Sequence, residues 1–126
     1  MKRKRFIIVI AVVVIISNLP VINTEILMKI DSGHFRYANN DASFTYLQHF
    51  DVFVPWMSAA GVRGFIENTR PTQQNMEVFR LYKINPLCFW RWRYYLMVSI
   101  QFNYKSWDEI EPNRVPFVPN NKWQKF

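Results

Sequence analysis

The residues able to do chemistry in this sequence are few and poorly spaced for it. His34, His49 and Asp51 supply two imidazoles and a carboxylate, a usable metal-binding set, but spacings of fifteen and two match no i, i+4 ligand pair on a helix. They read as ordinary surface or loop side chains. Nucleophilic catalysis needs a base beside a Ser, Thr or Cys, and neither nucleophile-elbow glycines nor a catalytic-cysteine signature is present. Carboxylates for glycoside chemistry could be drawn from Asp31, Asp41, Asp51, Glu67, Glu77 or the group Asp108, Glu109 and Glu111, yet nothing singles out two of them. The last group suits the positive end of a helix dipole. With only Gly33, Gly61 and Gly64 there is no phosphate-cradling loop. The single cysteine, Cys88, excludes an internal disulfide and two- or four-cysteine zinc sites, and reads as a small buried hydrophobe. No catalytic residue, metal ligand or cofactor site is assigned, no small-molecule substrate is identifiable, and the chain is read as a non-enzyme.

One chemically loaded stretch is left, Phe89-Trp90-Arg91-Trp92-Arg93-Tyr94-Tyr95. Arginine stacked on an aromatic ring serves nucleic acids, lipid headgroups and protein interfaces alike, and the same residues can fill a small core with their guanidinium groups reaching out. Core packing ranks first, contact with a partner or a membrane interface second. Arg91, Arg93, Trp92 and Tyr95 are the candidate interaction residues. Nucleic acid ranks last, because of the formal charge of +7, four units come from Lys2, Arg3, Lys4 and Arg5, and no basic run follows.

The elements that must carry these residues follow from local signals. Asn85-Pro86 reads as an N-cap and first-turn proline, predicting a principal helix over 86–99 with Leu87, Trp90, Tyr94 and Met97 on one stripe, widened by Phe89, Trp92 and Leu96. Phe35 and Tyr37, then Phe44 and Tyr46, alternate with polar residues as half-buried strands do, around turn chemistry at Asp31-Ser32-Gly33 and Asn39-Asn40-Asp41. A short helix weakened by two glycines is expected after Pro55, over residues 56–67. Residues 76–84 fit strand and helix equally well. Ser106 three before Glu109 has the form of a capping box. Three prolines among residues 112–119 make residues 112–126 an extended arm, with Phe117 and Trp123 as its anchors.

The strongest signal precedes all of this. KRKR is followed by the unbroken apolar run FIIVIAVVVII at residues 6–16. Its side chains, apart from Ala11, are Phe6, Ile7, Ile8, Val9, Ile10, Val12, Val13, Val14, Ile15 and Ile16. A basic tip and a short apolar core are read as a secretion signal, but no small-x-small site follows, so the segment is expected to remain as a signal anchor. Residues 6–22 would make about 25 Å of helix against a bilayer core of roughly 30 Å. The basic tetrapeptide keeps the N-terminus in the cytoplasm.

The chain has 126 residues, 50% of them hydrophobic and 17% aromatic, which is enough for one folded domain and too apolar for a disordered tail. The expected organisation is an α+β protein: residues 1–28 as cytoplasmic tip and single transmembrane helix, 29–111 as a small aromatic-rich domain, and 112–126 as the arm. Residues from Phe35 onward are expected to form a core without the first 28. The functional expectation is a single-pass membrane protein with a small non-enzymatic extracytoplasmic domain, in an accessory or interaction role at the cell envelope. Its partners would be the membrane and another envelope protein. The alternative is a secreted effector or inhibitor released by cleavage, and a small hydrolase comes third.

Overall fold

The computed structural model describes residues 2–49 and 57–126; Asp51, Pro55 and Trp56 lie outside the described residues. The protein is a small α+β fold built on a three-stranded antiparallel sheet and aromatic clusters. Helix α1 (Lys2–Ser17) carries the apolar run. Leu19 then takes an extended conformation, as a residue before proline does, and Pro20 starts α2 (Pro20–Asp31), which contains a π turn over Asn23–Leu27. The two helices meet at 69°. No single described helix is long and apolar enough to cross a membrane, although α1 and α2 together have the length and composition.

Ser32, in the left-handed conformation, ends α2 and turns the chain into β1 (His34–Asn39). A tight turn returns it as β2 (Thr45–His49), pairing Tyr37 with Tyr46 and His34 with His49. The expected strands are therefore present, paired as a hairpin. The turn is held by the side chains that predicted it: Asn39 accepts from the Phe44 N–H at 3.0 Å, and Asp41 accepts from the Ser43 N–H at 3.0 Å and its hydroxyl at 2.7 Å. Helix α3 (Met57–Thr69) follows the expected position, and its glycines are packing positions. A Cβ at Gly64 would lie 3.4 Å from the Trp123 ring, and one at Gly61 would lie 3.8 Å from Tyr46. After the short α4 (Gln73–Met76), the undecided region resolves as β3 (Val78–Arg80), which pairs with the free side of β1 and gives the order β2-β1-β3. A short strand suffices there because Arg80 also bridges to Tyr104, receiving and returning backbone hydrogen bonds with the 103–105 segment.

The expected single helix over 86–99 is broken. The side chain of Asn85 accepts from the Leu87 N–H in a local turn, and a 3-10 turn (Phe89–Arg91) leads into α5 (Trp92–Met97). Val98, outside helical geometry, separates α5 from a second 3-10 turn (Ser99–Gln101). The inward stripe changes accordingly. Tyr94 and Tyr95 are buried with Val98, Trp90 is half-buried, and Leu87 is 81% exposed with Met97 also outside. The predicted capping box forms at the start of α6 (Trp107–Ile110), with Ser106 and Glu109 engaged reciprocally. One further 3-10 turn (Glu111–Asn113) precedes residues 114–126, which hold no helix or strand but are not extended throughout, since the Asn121 N–H donates to the Val118 carbonyl and the Gln124 N–H to the Asn121 carbonyl in turns; Trp123 packs on the core as expected. Phe117 is exposed, with the Arg114 guanidinium 6.0 Å from its ring centre, and is not among the residues packed on the core. Its place is taken by Gln124, whose buried carboxamide donates to the Ala42 carbonyl at 3.1 Å and accepts from the Val118 N–H at 3.0 Å.

The core joins Phe35, Tyr37, Phe44, Phe65, Tyr94 and Tyr95 with Met28 of α2. Phe35 stacks on Tyr94 at 4.2 Å between ring centres, and the hydroxyls of Tyr94, Tyr37, Tyr82 and Ser99 form one hydrogen-bonded chain beneath the rings. Tyrosine satisfies its polar end here while burying a large apolar body. Two measurements follow. Tyr94→Ala is expected to cost about 3–5 kcal/mol in denaturant unfolding, the range for emptying a buried aromatic site, while Leu87→Ala leaves the midpoint unchanged. Burial pushes the Tyr82 phenol up to about 12 and the Tyr37 phenol higher still. Both stay protonated in the folded chain above pH ~10, where the unfolded phenols ionise. Their contribution is fully present below pH ~10 and is lost as pH rises toward 12, by about 1.4 kcal/mol per pH unit for each phenol. A phenolate absorbance titration should show these groups silent until the alkaline unfolding transition releases them.

Candidate functional site

The break between α1 and α2 brings a set of polar side chains against the Phe89–Arg91 turn, and this is where the aromatic and arginine run finds its partners. In an uninterrupted helix the Arg93 N–H would donate to the Phe89 carbonyl. Here the side chain of Asn18 stands between them, donating to the Phe89 carbonyl at 2.8 Å and accepting from the Arg93 N–H at 2.8 Å. Asn18 thus caps α5 from 75 residues away in sequence. Asn23, fully buried, donates to the Ser17 carbonyl at 2.9 Å and the Trp90 carbonyl at 2.5 Å.

Asp31, at the end of α2, completes the junction. Its carboxylate accepts two hydrogen bonds from the Arg91 guanidinium, Nε at 2.7 Å and Nη2 at 2.8 Å, and a third from the Trp90 indole N–H at 2.7 Å. The side chains of Arg91 and Asp31 are 25% and 13% exposed, so this bidentate pair is largely withdrawn from water and is stronger than a surface ion pair. By contrast, Lys29 and Glu25 pair at 2.7 Å in the open.

Of the candidate interaction residues, Arg91 is therefore engaged by a carboxylate of its own chain. Arg93 donates to the Thr24 hydroxyl at 2.9 Å, and Tyr95 lies in the core. Trp92 faces outward with Leu96, its indole N–H donating to the Pro86 carbonyl at 2.8 Å. Cys88 is half-buried beside this turn and free of any disulfide. The sequence reading missed Asn18, Asn23 and Asp31 as partners of the run. The available signal was polar residues placed directly after an apolar helix, where they need acceptors and donors.

The histidines are brought together more closely than their spacing suggested. His34 and His49 are directly opposite each other on β1 and β2, with ring centres 6.1 Å apart, and both are exposed. Counting outward from Asn39-Asn40-Asp41 would set His34 against Tyr46; the loop extends to Phe44 and shifts the register by three residues. Among the described residues, no group of three His, Cys, Asp or Glu side chains is placed to hold a metal ion. Three of the dispersed carboxylates are engaged within the fold, Asp41 in the hairpin turn, Glu109 in the capping box and Asp31 against Arg91. No protein-family model, curated protein or solved structure matches the chain.

The junction can be tested directly. Asp31→Asn and Arg91→Gln are each expected to lower unfolding stability by about 1.5–3 kcal/mol, the range for a hydrogen-bonded charged group losing its partner. The double variant should lose clearly less than the sum, because the second change removes a charge that the first has already stranded. Strict additivity in urea unfolding would separate the two side chains energetically.

Proposed function

We propose that the chain is a single-pass membrane protein, with its N-terminus in the cytoplasm and a small non-enzymatic domain on the far side of the membrane, serving an accessory or interaction role at the cell envelope. The observation that carries this reading is the state of α1. From Phe6 to Ile16 its large side chains project outward all round, Phe6 66% and Ile15 62% exposed, and only the end of the helix, near Ser17, is covered by the body. An apolar helix so little covered by the described residues of its own chain requires a lipid or protein cover, since exposed apolar surface of this extent is uncommon in soluble monomers. Lys2, Arg3, Lys4 and Arg5 at its start favour retention of that end in the cytoplasm. The aromatic core and the junction at Asp31 support a rigidly mounted domain, suited to holding a surface at a fixed attitude to the membrane.

Carbonate washing of membranes followed by intact-mass measurement tests the reading. The expected outcome is the whole 15.2 kDa chain in the pellet, with the domain cleaved by protease added on the extracytoplasmic side. A soluble product beginning between residues 19 and 31 would replace the anchored protein with a secreted one.

A further inference from the structure

The apolar part of α1 is too short for the task just proposed. Residues 6–17 make about 18 Å of helix against a hydrocarbon core of roughly 30 Å. The chain then bends by 69°, so α2 does not continue along the same line. Something else must meet the remaining hydrocarbon, because a mismatch this large exceeds what modest thinning of the bilayer accommodates at low cost.

The surface around the bend has the chemistry for it. Leu19 and Val21 at the elbow, and Ile26 and Ile30 along α2, are exposed, Ile30 at 73%. On the other side of the end of α1, a groove runs between Val14 and Ile15 of that helix and Trp92, Leu96 and Met97 of α5. A second groove shares Trp92 and Leu96 and extends to Ile84, Pro86 and Ile100. Apolar side chains of the anchor therefore adjoin those of the body, with Asn18 and the half-buried Arg93, whose guanidinium donates to the Thr24 hydroxyl, also lining the first groove. The polar groups within it are satisfied locally, the Trp92 indole by Pro86 and the Asn18 amide by Phe89 and Arg93. An outward-facing Trp on such a shoulder has the amphipathic character of side chains at the headgroup boundary.

We infer that this shoulder, formed by the elbow, the outer side of α2 and the outer side of α5, is seated in the acyl and headgroup zone of the extracytoplasmic leaflet and completes the span that α1 begins. The inference rests on the anchored reading. It makes the domain an interfacial one, partly embedded in lipid, and the cover of Leu96 and Ile100 is phospholipid.

Depth-resolved quenching of the full-length chain tests this in phosphatidylcholine vesicles whose acyl chains carry doxyl groups at shallow or deep positions. On a Cys88→Ser background, single cysteines at Ile8→Cys, Leu96→Cys and Gln74→Cys are labelled with an environment-sensitive fluorophore. All three positions are exposed in the folded chain, so the labels need no repacking. The labels at 8 and 96, near the cytoplasmic and extracytoplasmic ends of the span, should both lose most of their fluorescence to the shallow quencher, and the label at 74 to neither quencher. A label at 96 that behaves like the one at 74, while that at 8 is quenched, overturns the embedded shoulder and leaves the anchor standing. A label at 96 shielded from aqueous iodide but untouched by either doxyl lipid means a protein cover, and equally overturns it. Loss of quenching at 8 as well brings down the anchored reading together with the inference.

Discussion

One side chain sets the relation between the two halves of this protein. The Asn18 carboxamide occupies the place of a main-chain hydrogen bond between Phe89 and Arg93, accepting from the Arg93 N–H and adding a second donor to the Phe89 carbonyl, which also accepts from the Trp92 N–H. Because a primary amide both donates and accepts, it can be inserted into that gap with neither group left unpaired. Asn23 and Asp31 act on the same turn from further along, through the Trp90 carbonyl and the Arg91 guanidinium. The end of the apolar helix is thereby fixed to the aromatic core at several points, and Met28 lies inside that core. The boundary expected at residue 28 falls within α2, so a truncation there would remove Asn18, Asn23 and a buried core side chain together.

The arginine and aromatic run divides its residues by direction. Tyr94 and Tyr95 fill the core, Trp90 and Arg91 turn back to Asp31, and Trp92 goes outward with Leu96. Arginine in such a run is commonly taken as a mark of a ligand surface. Here burial required a carboxylate nearby, and Asp31 supplies it with two lone-pair directions matched to the guanidinium fork. What faces outward after that pairing is Trp92 with Leu96, while the half-buried Arg93 lines the groove beside them and donates to the Thr24 hydroxyl.

Features governed by near neighbours were legible in the sequence. The hairpin turn at Asn39 and Asp41, the capping box at Ser106 and Glu109, and the non-regular arm with Trp123 on the core depend on residues a few positions apart or on proline geometry. The helix over 86–99 was not legible as broken, because its break is made by a residue 75 positions earlier and the Asn85-Pro86 start signal is equally that of a local turn. The stripe containing Leu87 and Met97 failed with it. The pairing of His34 with His49 was not legible, since a turn centred on Asn40 sets His34 opposite Tyr46 and the loop instead extends to Phe44, shifting the register by three residues. Gln124 gave no signal, because a buried amide is recognisable only from the carbonyl it meets.

The long reach of Asn18 also orders events in time. The hairpin closes over a handful of residues and can form as soon as β2 has been made, whereas the elbow has no partner until Arg93 exists. Contacts of such large sequence separation carry the entropy of closing a long loop and form late. During synthesis the apolar helix is therefore presented first and alone, with Asn18 and Asn23 solvated behind it, and any machinery that captures it does so before the body can clasp its end. The bend itself is set early by Leu19 and Pro20, and the clasp that fixes it to the body is a late-closing latch.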